Sequence, residues 1–295
     1  MTPITRFDFD AVLAFAVFAD SLNFSAAARQ LHLSQPALHV KIRKLSDQLG
    51  RPLYRRIGRT LELTEHGHLV ARYGQNLGLG AREFVGQLEG SAEQAVTLAA
   101  GDGAYLYLLG AGIRSYQHAA KASLHLLSTD RDRTLAAVLG GKAQVGVAPL
   151  DSVPEAIHSA ALTTVGQVLA VPATHRLAGR SRLRLKDLAG ERLIVPPSGR
   201  PHRQTIDALL QSEQVDWQLA MEANGWELML SFVAMDIGVA IVNACCRLPK
   251  GVVGMALPQM PSVRYHCFHL QGLAKSSAAM RLRMALVSHG DAWKT

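Results

Sequence analysis

The amino-acid sequence predicts an α+β protein in which a helical N-terminal region with a short β-hairpin precedes a larger α/β body. Three observations support this fold class. Apolar residues recur at helical spacing as far as about residue 88, apart from one hairpin-like segment. From about residue 94, strand-like and helix-like segments alternate. The chain of 295 residues, 48% of them hydrophobic, is long enough for two domains with separate cores.

Composition excludes several classes of protein. Only 18% of the residues are charged, so the chain is not intrinsically disordered. Three cysteines, of which Cys245 and Cys246 are adjacent, cannot build a disulfide framework and indicate a reducing compartment. The sequence has no apolar run of about 18 residues that could span a membrane, and its N-terminus reaches acidic residues before any hydrophobic stretch, unlike a secretory signal. We therefore expect a soluble cytoplasmic protein.

The formal net charge of +8 is concentrated in two segments. Residues 29–59 contain eight Lys and Arg against Asp47 alone, and residues 176–203 contain eight against two acids. The remainder of the chain is slightly acidic. A solvated surface would scatter its charges, so each basic segment suggests a negatively charged partner.

The first two elements are short helices. Residues 8–20 place Val12, Phe15 and Ala19 on one apolar face. The second helix is predicted over Ser25–Leu31 with the Ser25 hydroxyl as its N-cap. Three consecutive alanines then give it a thin face that another helix can approach closely.

A third helix follows after a tight turn at residues 32–33. Ser34 is its expected N-cap, and Pro36 lies in the first turn, where its missing N–H costs nothing. The apolar residues of this helix are spaced by four, three and four positions, and they are Leu38, Ile42, Leu45 and Leu49. Gly50 ends the helix. Two short helices joined by a tight turn predict a helix-turn-helix.

In a helix-turn-helix, the N-terminal part of the second helix enters the major groove of double-stranded DNA. Gln can pair with adenine, Lys or Arg with guanine, and Ala or Leu can meet a thymine methyl group. The candidate DNA-binding residues of this unit are Ser25, Ser34, Gln35, Pro36, Ala37, Leu38, His39, Lys41, Arg43 and Lys44.

A hairpin is predicted next, with strands on either side of a turn at residues 58–59. Arg55, Arg56 and Arg59 would lie along DNA phosphates as a wing. The alternative is that a capped helix pair is ordinary packing and that a basic run is a solvated face. The joint occurrence of the tight turn, the capped helix, its basic face and the basic hairpin favours DNA binding.

A long helix is predicted after Thr64, which can cap it. Its apolar stripe consists of Val70, Tyr73, Leu77, Ala81, Phe84 and Leu88. Such a stripe most often packs within its own domain, but this helix joins two domains, so a second copy of the helix is the expected partner. Glycines at positions 74, 78 and 80 weaken the helix, and we expect it to bend there.

The remaining residues predict an α/β body with mostly parallel sheets. Predicted strands cover Val96–Ala100, Ser123–Ser128, Val145–Ala148, Gln167–Val171, Leu193–Val195, Gln218–Glu222, Val239–Val242 and Tyr265–Leu270. Predicted helices cover Arg133–Leu139, His202–Leu210, Trp226–Ala234 and Ala278–Ser288.

The N-terminal motifs closely resemble the DNA-binding domain of LysR-type transcriptional regulators. The resemblance is carried by Asn23-Phe24-Ser25-Ala26-Ala27-Ala28-Arg29-Gln30-Leu31, Ser34-Gln35-Pro36-Ala37-Leu38, Leu53-Tyr54-Arg55-Arg56 and Leu63-Thr64-Glu65-His66-Gly67. Two positions depart from the family pattern, which usually has Ser in place of His39 and Glu in place of Ser46. His39 should project toward DNA. The base preference of the protein and the pH dependence of its DNA binding are therefore expected to differ from those of the family.

The resemblance implies a winged helix-turn-helix at 1–64, a linker and dimerisation helix at 65–91, and an effector-binding domain at 92–295. It implies that the last domain is like a periplasmic binding protein, with subdomain I at about 92–166 and 264–295 and subdomain II at about 167–263. It further implies a homotetramer built from dimers, binding at interrupted palindromic promoter sites, and RNA polymerase as a candidate partner.

On this resemblance, a small effector would bind between the two subdomains, at turns that follow strands. The candidate effector-binding residues at these turns are Asp102, Gly103, Ala104, Thr129, Ser198, Arg200, His202, Arg203, Asn224, Gly225 and Trp226. Each turn could equally serve backbone geometry alone. Because Arg200, His202 and Arg203 open a helix within the second basic segment, we expect an anionic effector.

Other patterns carry no predicted chemistry. His266 and His269 of a His-Cys-x-His run would point to opposite faces of a strand, so no zinc site is expected. Cys245 and Cys246 could form a redox switch, but buried, inert thiols are expected. We expect no cofactor, no metal and no catalysis. The alternative to a regulator is an α/β ligand-binding or enzymatic domain with an accessory helix-turn-helix.

Overall fold

The computed structural model describes residues 8–58, 60–88, 95–119, 123–274 and 277–294, with backbone alone at 76, 79, 82, 83 and 86–88. Its helices are α1 (Phe9–Ser21), α2 (Phe24–Gln30), α3 (Gln35–Leu49), α4 (Glu65–Leu88), α5 (Asp102–Tyr107), α6 (Gly110–Ala119), α7 (Arg131–Leu139), α8 (Pro201–Ser212), α9 (Trp226–Ala234) and α10 (Ala278–Ser288). Its strands are β1 (Tyr54–Ile57), β2 (Thr60–Leu63), β3 (Val96–Ala100), β4 (Leu124–Ser128), β5 (Val145–Pro149), β6 (Ile157–Val165), β7 (Gln167–Pro172), β8 (Arg192–Val195), β9 (Gln218–Glu222), β10 (Ala240–Asn243), β11 (Val252–Ala256) and β12 (Val263–Leu270). The predicted α+β fold class is confirmed.

Side-chain caps fix the ends of the first three helices. Asn23 caps α2, since its side-chain oxygen accepts from the amides of Ser25 and Ala26. The predicted Ser25 cap is therefore wrong: an Asx side chain two residues earlier takes these amides and leaves the Ser25 hydroxyl free for another partner. The Ser34 cap of α3 is confirmed, with Ala37 N donating to Oγ at 3.3 Å. Gly50 ends α3 in the left-handed conformation, at a φ of 64°.

The predicted hairpin is confirmed. Strands β1 and β2 pair antiparallel, with Tyr54 opposite Leu63 and Ile57 opposite Thr60. Thr64 then caps α4, because its hydroxyl accepts from Gly67 N at 3.0 Å and donates to Pro52 O at 2.7 Å. One threonine thus fixes both the start of the linker helix and its angle to the hairpin.

Helix α4 lies unusually close to α1 at Gly74. A Cβ atom at this position would lie 2.6 Å from the carbonyl oxygen of Val12 and 2.9 Å from the Cβ of Ala16. Gly80, by contrast, has open space around it. Gly74 therefore allows the helices to touch, and α4 continues through it to Leu88. None of the described helices is both long and apolar enough to cross a membrane.

The body contains two sheet units. Sheet unit I has strand order β4-β3-β5-β12-β6, with α6 and α10 packed on one face and α7 on the other. Sheet unit II consists of β10-β7-β11 and the β8-β9 pair, joined by a parallel bridge between Leu193 and Val239. The expectation of mostly parallel sheets is wrong, because β12 pairs antiparallel with both β5 and β6, and β7 pairs antiparallel with both β10 and β11.

All eight predicted strands and all four predicted helices of the body occur, four of them with the predicted bounds and the others with one or both ends shifted by one or two residues. The prediction missed β6, β11, α5 and α6. Strand β6 (Ile157–Val165) has no regular alternation of buried and exposed residues, and α6 contains two glycines, which disfavour helix in sequence reasoning. Gly112 occurs there because a Cβ atom would lie 2.8 Å from the Cα of Leu286 on α10. Gly112 is thus a helix-packing glycine, whereas Gly110 has open space around it.

The chain passes between the sheet units at two adjacent places. Strand β6 of unit I ends at Val165 and β7 of unit II begins at Gln167, while β11 of unit II is followed by β12 of unit I. A buried hydrogen-bond network joins the units here. Gln167 Nε2 donates to Asn243 Oδ1 at 2.8 Å, and Asn243 Nδ2 donates to Tyr265 Oη at 3.0 Å. We call this network the crossing network.

We predict that Gly74→Ala destabilises the packing of α1 on α4. The gain in helix propensity, about 1 kcal/mol, is outweighed by a clash with backbone of about 1–3 kcal/mol. Hydrogen exchange of the α1 amides in the full chain should become faster. Gly80→Ala on the same helix is the control, and it should leave or improve their protection. Equal protection in the two variants would contradict the role assigned to Gly74.

Candidate DNA interface and ligand cleft

The N-terminal half of α3 presents a polar, exposed surface. Gln35, Ala37 and His39 are exposed, as are Arg43 and Lys44 one turn further along the helix. Ser34 and Pro36 are also exposed at the start of α3. The chain therefore displays the residue types that contact base edges and phosphates on one helix end.

Two predicted DNA contacts need correction or refinement. Leu38 is completely buried among the helices of this domain, so it cannot reach a thymine methyl group. Its position on the helix faces the core, together with Ile42 and Leu45. Lys41 forms an ion pair with Asp10 of α1, so part of its charge is neutralised within the domain.

The Ser25 hydroxyl, which does not cap α2, donates to Gln35 Oε1 at 2.9 Å. This bond links the first helix of the motif to the first residue of the second. It also orients the Gln35 amide so that its NH₂ group remains available to an acceptor. A Gln held in this way is better suited to pair with an adenine than a freely rotating one.

His39 lies against aromatic side chains at the edge of the same surface. Its ring is 5.0 Å from that of Phe24, and Nε2 is 3.4 Å from the hydroxyl of Tyr54 on the hairpin. Burial raises the pKa of Tyr54. His39, the residue that departs from the family pattern, thus links α3 to the hairpin, and its imidazole remains exposed.

The hairpin arginines are exposed and only loosely held. Arg55 is 3.4 Å from Glu62 on the opposite strand, and Arg56 Nε donates to Gly58 O at 3.1 Å. Exposed pairs of this kind contribute little stability, so both guanidinium groups can turn to a phosphate. Arg59, at the tip, lies outside the described residues.

The linker helix exposes apolar side chains. Tyr73 is 50% exposed and Phe84 is 61% exposed, and Leu69 and Val85 are exposed beside them. Of the predicted stripe, Val70 instead packs on the core of the N-terminal domain, and the side chain of Leu88 is not described. An exposed apolar strip on one helix indicates an interface with another molecule.

A cleft of about 780 Å³ opens between the two sheet units. All four predicted turns contribute to it, and they supply eight of the predicted effector-binding residues: Asp102, Gly103, Thr129, Arg200, His202, Asn224, Gly225 and Trp226. A cavity of this size with apolar and polar walls is typical of a small-molecule site.

Three predicted effector contacts do not line the cleft. Ala104 is buried in the core of sheet unit I. Ser198 is exposed in the turn before α8 and does not belong to the lining. Arg203 is held by Asp207 at 2.8 Å and Glu222 at 2.9 Å. The sequence analysis predicted Ser198 and Arg203 as effector contacts because they are close to Arg200 in the chain. In a turn and at the start of a helix, however, neighbouring side chains project in different directions.

His202 is half-buried in the wall of the cleft, where its charged form is disfavoured. Burial lowers its pKa, and Nε2 donates to the carbonyl oxygen of Ile241 at 2.9 Å. Its ring also meets Trp226 edge-on, with the centroids 4.8 Å apart. The predicted cationic trio at the start of α8 is therefore reduced to Arg200 alone.

Three contacts join the walls of the cleft. Arg200 Nη1 of unit II lies 3.4 Å from Asp130 Oδ2 of unit I. The hydroxyl of Tyr107 lies 3.5 Å from Glu227 Oε1. Gly103 approaches the Trp226 side chain so closely that a Cβ atom at this position would lie 2.8 Å from it. Charged, polar and steric contacts thus hold the two units near each other.

Sequence reasoning missed several lining residues, among them Tyr107, Asp130, Arg131, Arg133 and Glu227. Asp130 caps α7 through Arg133 N, and this bond lowers the pKa of its carboxyl group. The signal was present, because Thr129-Asp130-Arg131 follows a strand and opens a helix, as do the other cleft turns. The acidic and basic groups of the lining are balanced, so the cleft is not a strongly basic anion site.

Several cations of the second basic segment are paired with acids inside and outside the segment. Arg180 lies 2.7 Å from Asp187, and Arg176 pairs with the buried Glu191. Of its Lys, Arg and His residues, only Arg200 and His202 line the cleft. Within the described part of the chain, no group of three or more His, Cys, Asp or Glu side chains could hold a metal ion.

A helix-turn-helix with a basic hairpin, joined by a long helix to a two-unit α/β body with a central cleft, defines a class of protein: ligand-sensing DNA-binding regulators. Comparison with known families agrees with this class. Residues 9–68 match the bacterial regulatory helix-turn-helix protein family, lysR type, and residues 89–291 match the LysR substrate binding domain. The chain belongs to the LysR family of DNA-binding transcriptional regulators.

Individual relatives are distant. The chain is 28% identical over 250 residues to "Probable RuBisCO transcriptional regulator" of Trichormus variabilis (strain ATCC 29413 / PCC 7937), covering 80% of this chain and 73% of that protein. A full-length OxyR variant from Pseudomonas aeruginosa has a TM-score of 0.71 at 17% identity, covering 95% of this chain and 98% of that chain. Full-length CbnR complexed with its target DNA has a TM-score of 0.57 at 20% identity, covering 97% of this chain and 99% of that chain. The two structures are similar in fold.

We predict that acidification destabilises the body of the protein through His202. Because its pKa is lower in the folded than in the unfolded state, the unfolded state binds the proton more readily. Stability should therefore fall as the pH drops below about 6.5, the ordinary value for histidine. Between pH 8 and pH 5, the unfolding temperature should fall less for His202→Gln than for the wild type. The Gln amide can still donate to Ile241. An identical pH dependence in the variant and the wild type would refute this origin.

Proposed function

We propose that the protein binds interrupted palindromic promoter sites as an oligomer and that a small anionic effector in the cleft modulates this binding. The observation that carries the DNA part is the exposed start of α3 beside the basic hairpin. Gln35 begins α3, Arg43 and Lys44 are exposed further along the same helix, and Arg55 and Arg56 lie on the hairpin. This combination suits base-edge contacts flanked by phosphate contacts.

Dimerisation through α4 is the proposed basis of the two half-sites. Tyr73, Phe84 and their apolar neighbours on α4 are too exposed for a helix that remains monomeric. A two-fold pair of α4 helices would bring two copies of α3 to related half-sites. Two sheet edges also expose leucines, Leu126 on β4 and Leu219 on β9. These edges are candidate surfaces for assembling dimers into a tetramer.

The proposed effector competes for Arg200. In the cleft, Asp130 occupies the position beside this guanidinium that an effector carboxylate would take. An incoming anion would exchange one wall-to-wall ion pair for a ligand contact and so change how the sheet units are held together. Leu106, Leu228 and Met229 give the same cleft apolar surface, which favours an anion with a hydrophobic part.

The alternative of an enzymatic body with an accessory DNA-binding unit is less well supported. The match of residues 89–291 to the LysR substrate binding domain favours ligand sensing. We also propose that the protein works in the cytoplasm, where its promoter DNA lies, and that RNA polymerase is a further partner.

We predict that Arg56→Ala weakens DNA binding at every sequence and reduces its salt dependence. The slope of log affinity against log salt should become shallower by about 1, because one phosphate contact is lost. Fluorescence anisotropy with a promoter fragment measures both quantities. Arg182→Ala removes an equally exposed charge from the distant loop of sheet unit II and should change neither. An unchanged slope for Arg56→Ala, or a footprint covering a single half-site, would count against the proposed binding mode.

We predict that Asp130→Asn raises the affinity for the effector about tenfold, since Arg200 loses its internal competitor. Arg200→Ala should abolish discrimination between an acid and its amide. The measurement is a thermal-shift and calorimetry screen of small carboxylic acids against the matching neutral amides. Asp236→Asn, at an exposed acid after α9 that lies outside the cleft lining, is the control and should leave affinity unchanged. If a neutral compound binds tightly and Arg200→Ala leaves its affinity unchanged, the proposal of an anionic effector is overturned.

A further inference from the structure

The lining of the cleft carries as many carboxylates as guanidinium groups. Its acids and arginines are Asp102, Asp130, Glu227, Arg131, Arg133 and Arg200. An anion bound alone would give this balanced lining a net negative charge. A ligand with one charge of each sign would preserve the balance, and its two charges would each need a partner of opposite sign in the lining.

The arginines of the lining already have acidic partners. Arg131 Nη1 lies 2.6 Å from Asp151 Oδ2, which is outside the lining. Asp130 Oδ2 lies 3.4 Å from Arg200 Nη1 and 3.9 Å from Arg133 Nε. The place for an effector carboxylate is therefore beside Arg200, where it would replace Asp130.

The other two carboxylates of the lining have neutral partners. Asp102 accepts a hydrogen bond from the hydroxyl of Ser128, and Glu227 Oε1 lies 3.5 Å from the hydroxyl of Tyr107. Among the residues that the structure describes, no Lys or Arg forms an ion pair with either carboxylate. Both acids are exposed, so a ligand can reach them. The cleft thus offers two carboxylates that lack a cation.

These two carboxylates come from opposite walls and lie beside aromatic rings. Asp102 begins α5 on sheet unit I, and Glu227 lies in the first turn of α9 on sheet unit II. Trp226, next to Glu227, packs so closely on Gly103, next to Asp102, that a Cβ atom there would lie 2.8 Å from the indole and 4.0 Å from the ring of Tyr107. Carboxylates and the faces of Trp and Tyr rings both attract cations. This end of the cleft is therefore suited to an ammonium group.

We propose that the effector is an amino acid with an apolar side chain, whose carboxylate binds Arg200 and whose ammonium group binds Asp102 and Glu227. This assignment rests on the proposed function of the cleft and adds a cation to the anion assigned there. Leu106 and Leu228 face the same cleft from opposite walls and are 46% and 48% exposed, which favours an apolar side chain.

The amino acid would exchange one contact between the walls for another. Its carboxylate separates Arg200 from Asp130, whereas its ammonium group joins Asp102 of one wall to Glu227 of the other. A carboxylic acid without the amine would open the first contact without making the second. An amine without the carboxylate would leave the first contact closed. Tight binding therefore requires both charges.

The test is titration calorimetry of the full chain at neutral pH with three matched sets of compounds. Each set contains an amino acid, the acid that lacks its amine and the amine that lacks its carboxylate. The sets are L-leucine, isocaproate and isoamylamine; L-phenylalanine, hydrocinnamate and phenethylamine; and L-valine, isovalerate and isobutylamine. At least one amino acid should bind, and its acid and its amine should each bind about tenfold more weakly or worse, since each lacks a charge-assisted contact.

Variants separate the two charges of the ligand. Glu227→Gln and Asp102→Asn should each weaken the amino acid about tenfold and leave the affinity for its acid unchanged or higher, because a negative charge has been removed. The amide of Glu227→Gln can still accept from Tyr107, so the wall keeps its contact. Arg200→Ala should weaken the amino acid and the acid alike. Asp236→Asn, an exposed acid outside the lining, is the matched control and should change none of the affinities.

The outcomes distinguish this proposal from the proposed function. If the acids bind as tightly as the amino acids and Glu227→Gln changes neither affinity, the amino acid is ruled out and the anionic effector stands. If an amino acid binds but Arg200→Ala leaves its affinity unchanged, the carboxylate contact is wrong and both proposals are overturned. If none of the amino acids binds, the amino-acid assignment is overturned whether or not the acids bind.

Discussion

The crossing network is the constraint on which the body of the protein depends. Gln167, Asn243 and Tyr265 bind one another where the chain passes between the sheet units, and the first two are buried. Buried amides are costly unless they are paired, so the network holds the two units in one arrangement. A ligand that changes the contacts between the walls of the cleft would therefore act against this constraint.

The N-terminal region depends on a second constraint, the approach of α4 to α1 at Gly74. Together with the cap at Thr64, it fixes the recognition helix and hairpin relative to the linker helix. The DNA-binding surface therefore moves with α4, whose exposed apolar side chains are suited to a second copy. In this arrangement a change in the body can reach the DNA only through the placement of the linker helices, because the binding surface itself is rigidly attached to them.

Charge alone is a poor guide to the ligand site. Both basic segments stand out in the sequence, yet they have different fates. The first remains largely exposed on α3 and the hairpin, with Lys41 and Arg55 in ion pairs. In the second, Arg176, Arg180 and Arg203 are bound by nearby carboxylates. The cleft retains Arg200, whose partner Asp130 lies on the opposite wall. The cleft thus carries its own competitor for an anion, which makes it suited to a switch rather than to permanent binding.

Local patterns in the sequence predict the helix-turn-helix, the hairpin, the linker helix and the four turns of the cleft. These features rest on local interactions, such as a cap three residues from its amide or an apolar face repeated along one helix. The Asn23 cap is equally local, although sequence reasoning assigned it to Ser25. Tertiary packing alone sets the antiparallel pairing of β12 and β7 and buries Leu38. It also brought together Asp130 and Arg200, 70 residues apart, and Tyr107 and Glu227, 120 residues apart. Such contacts leave no periodicity in the sequence, because each depends on how two separately folded units pack against each other.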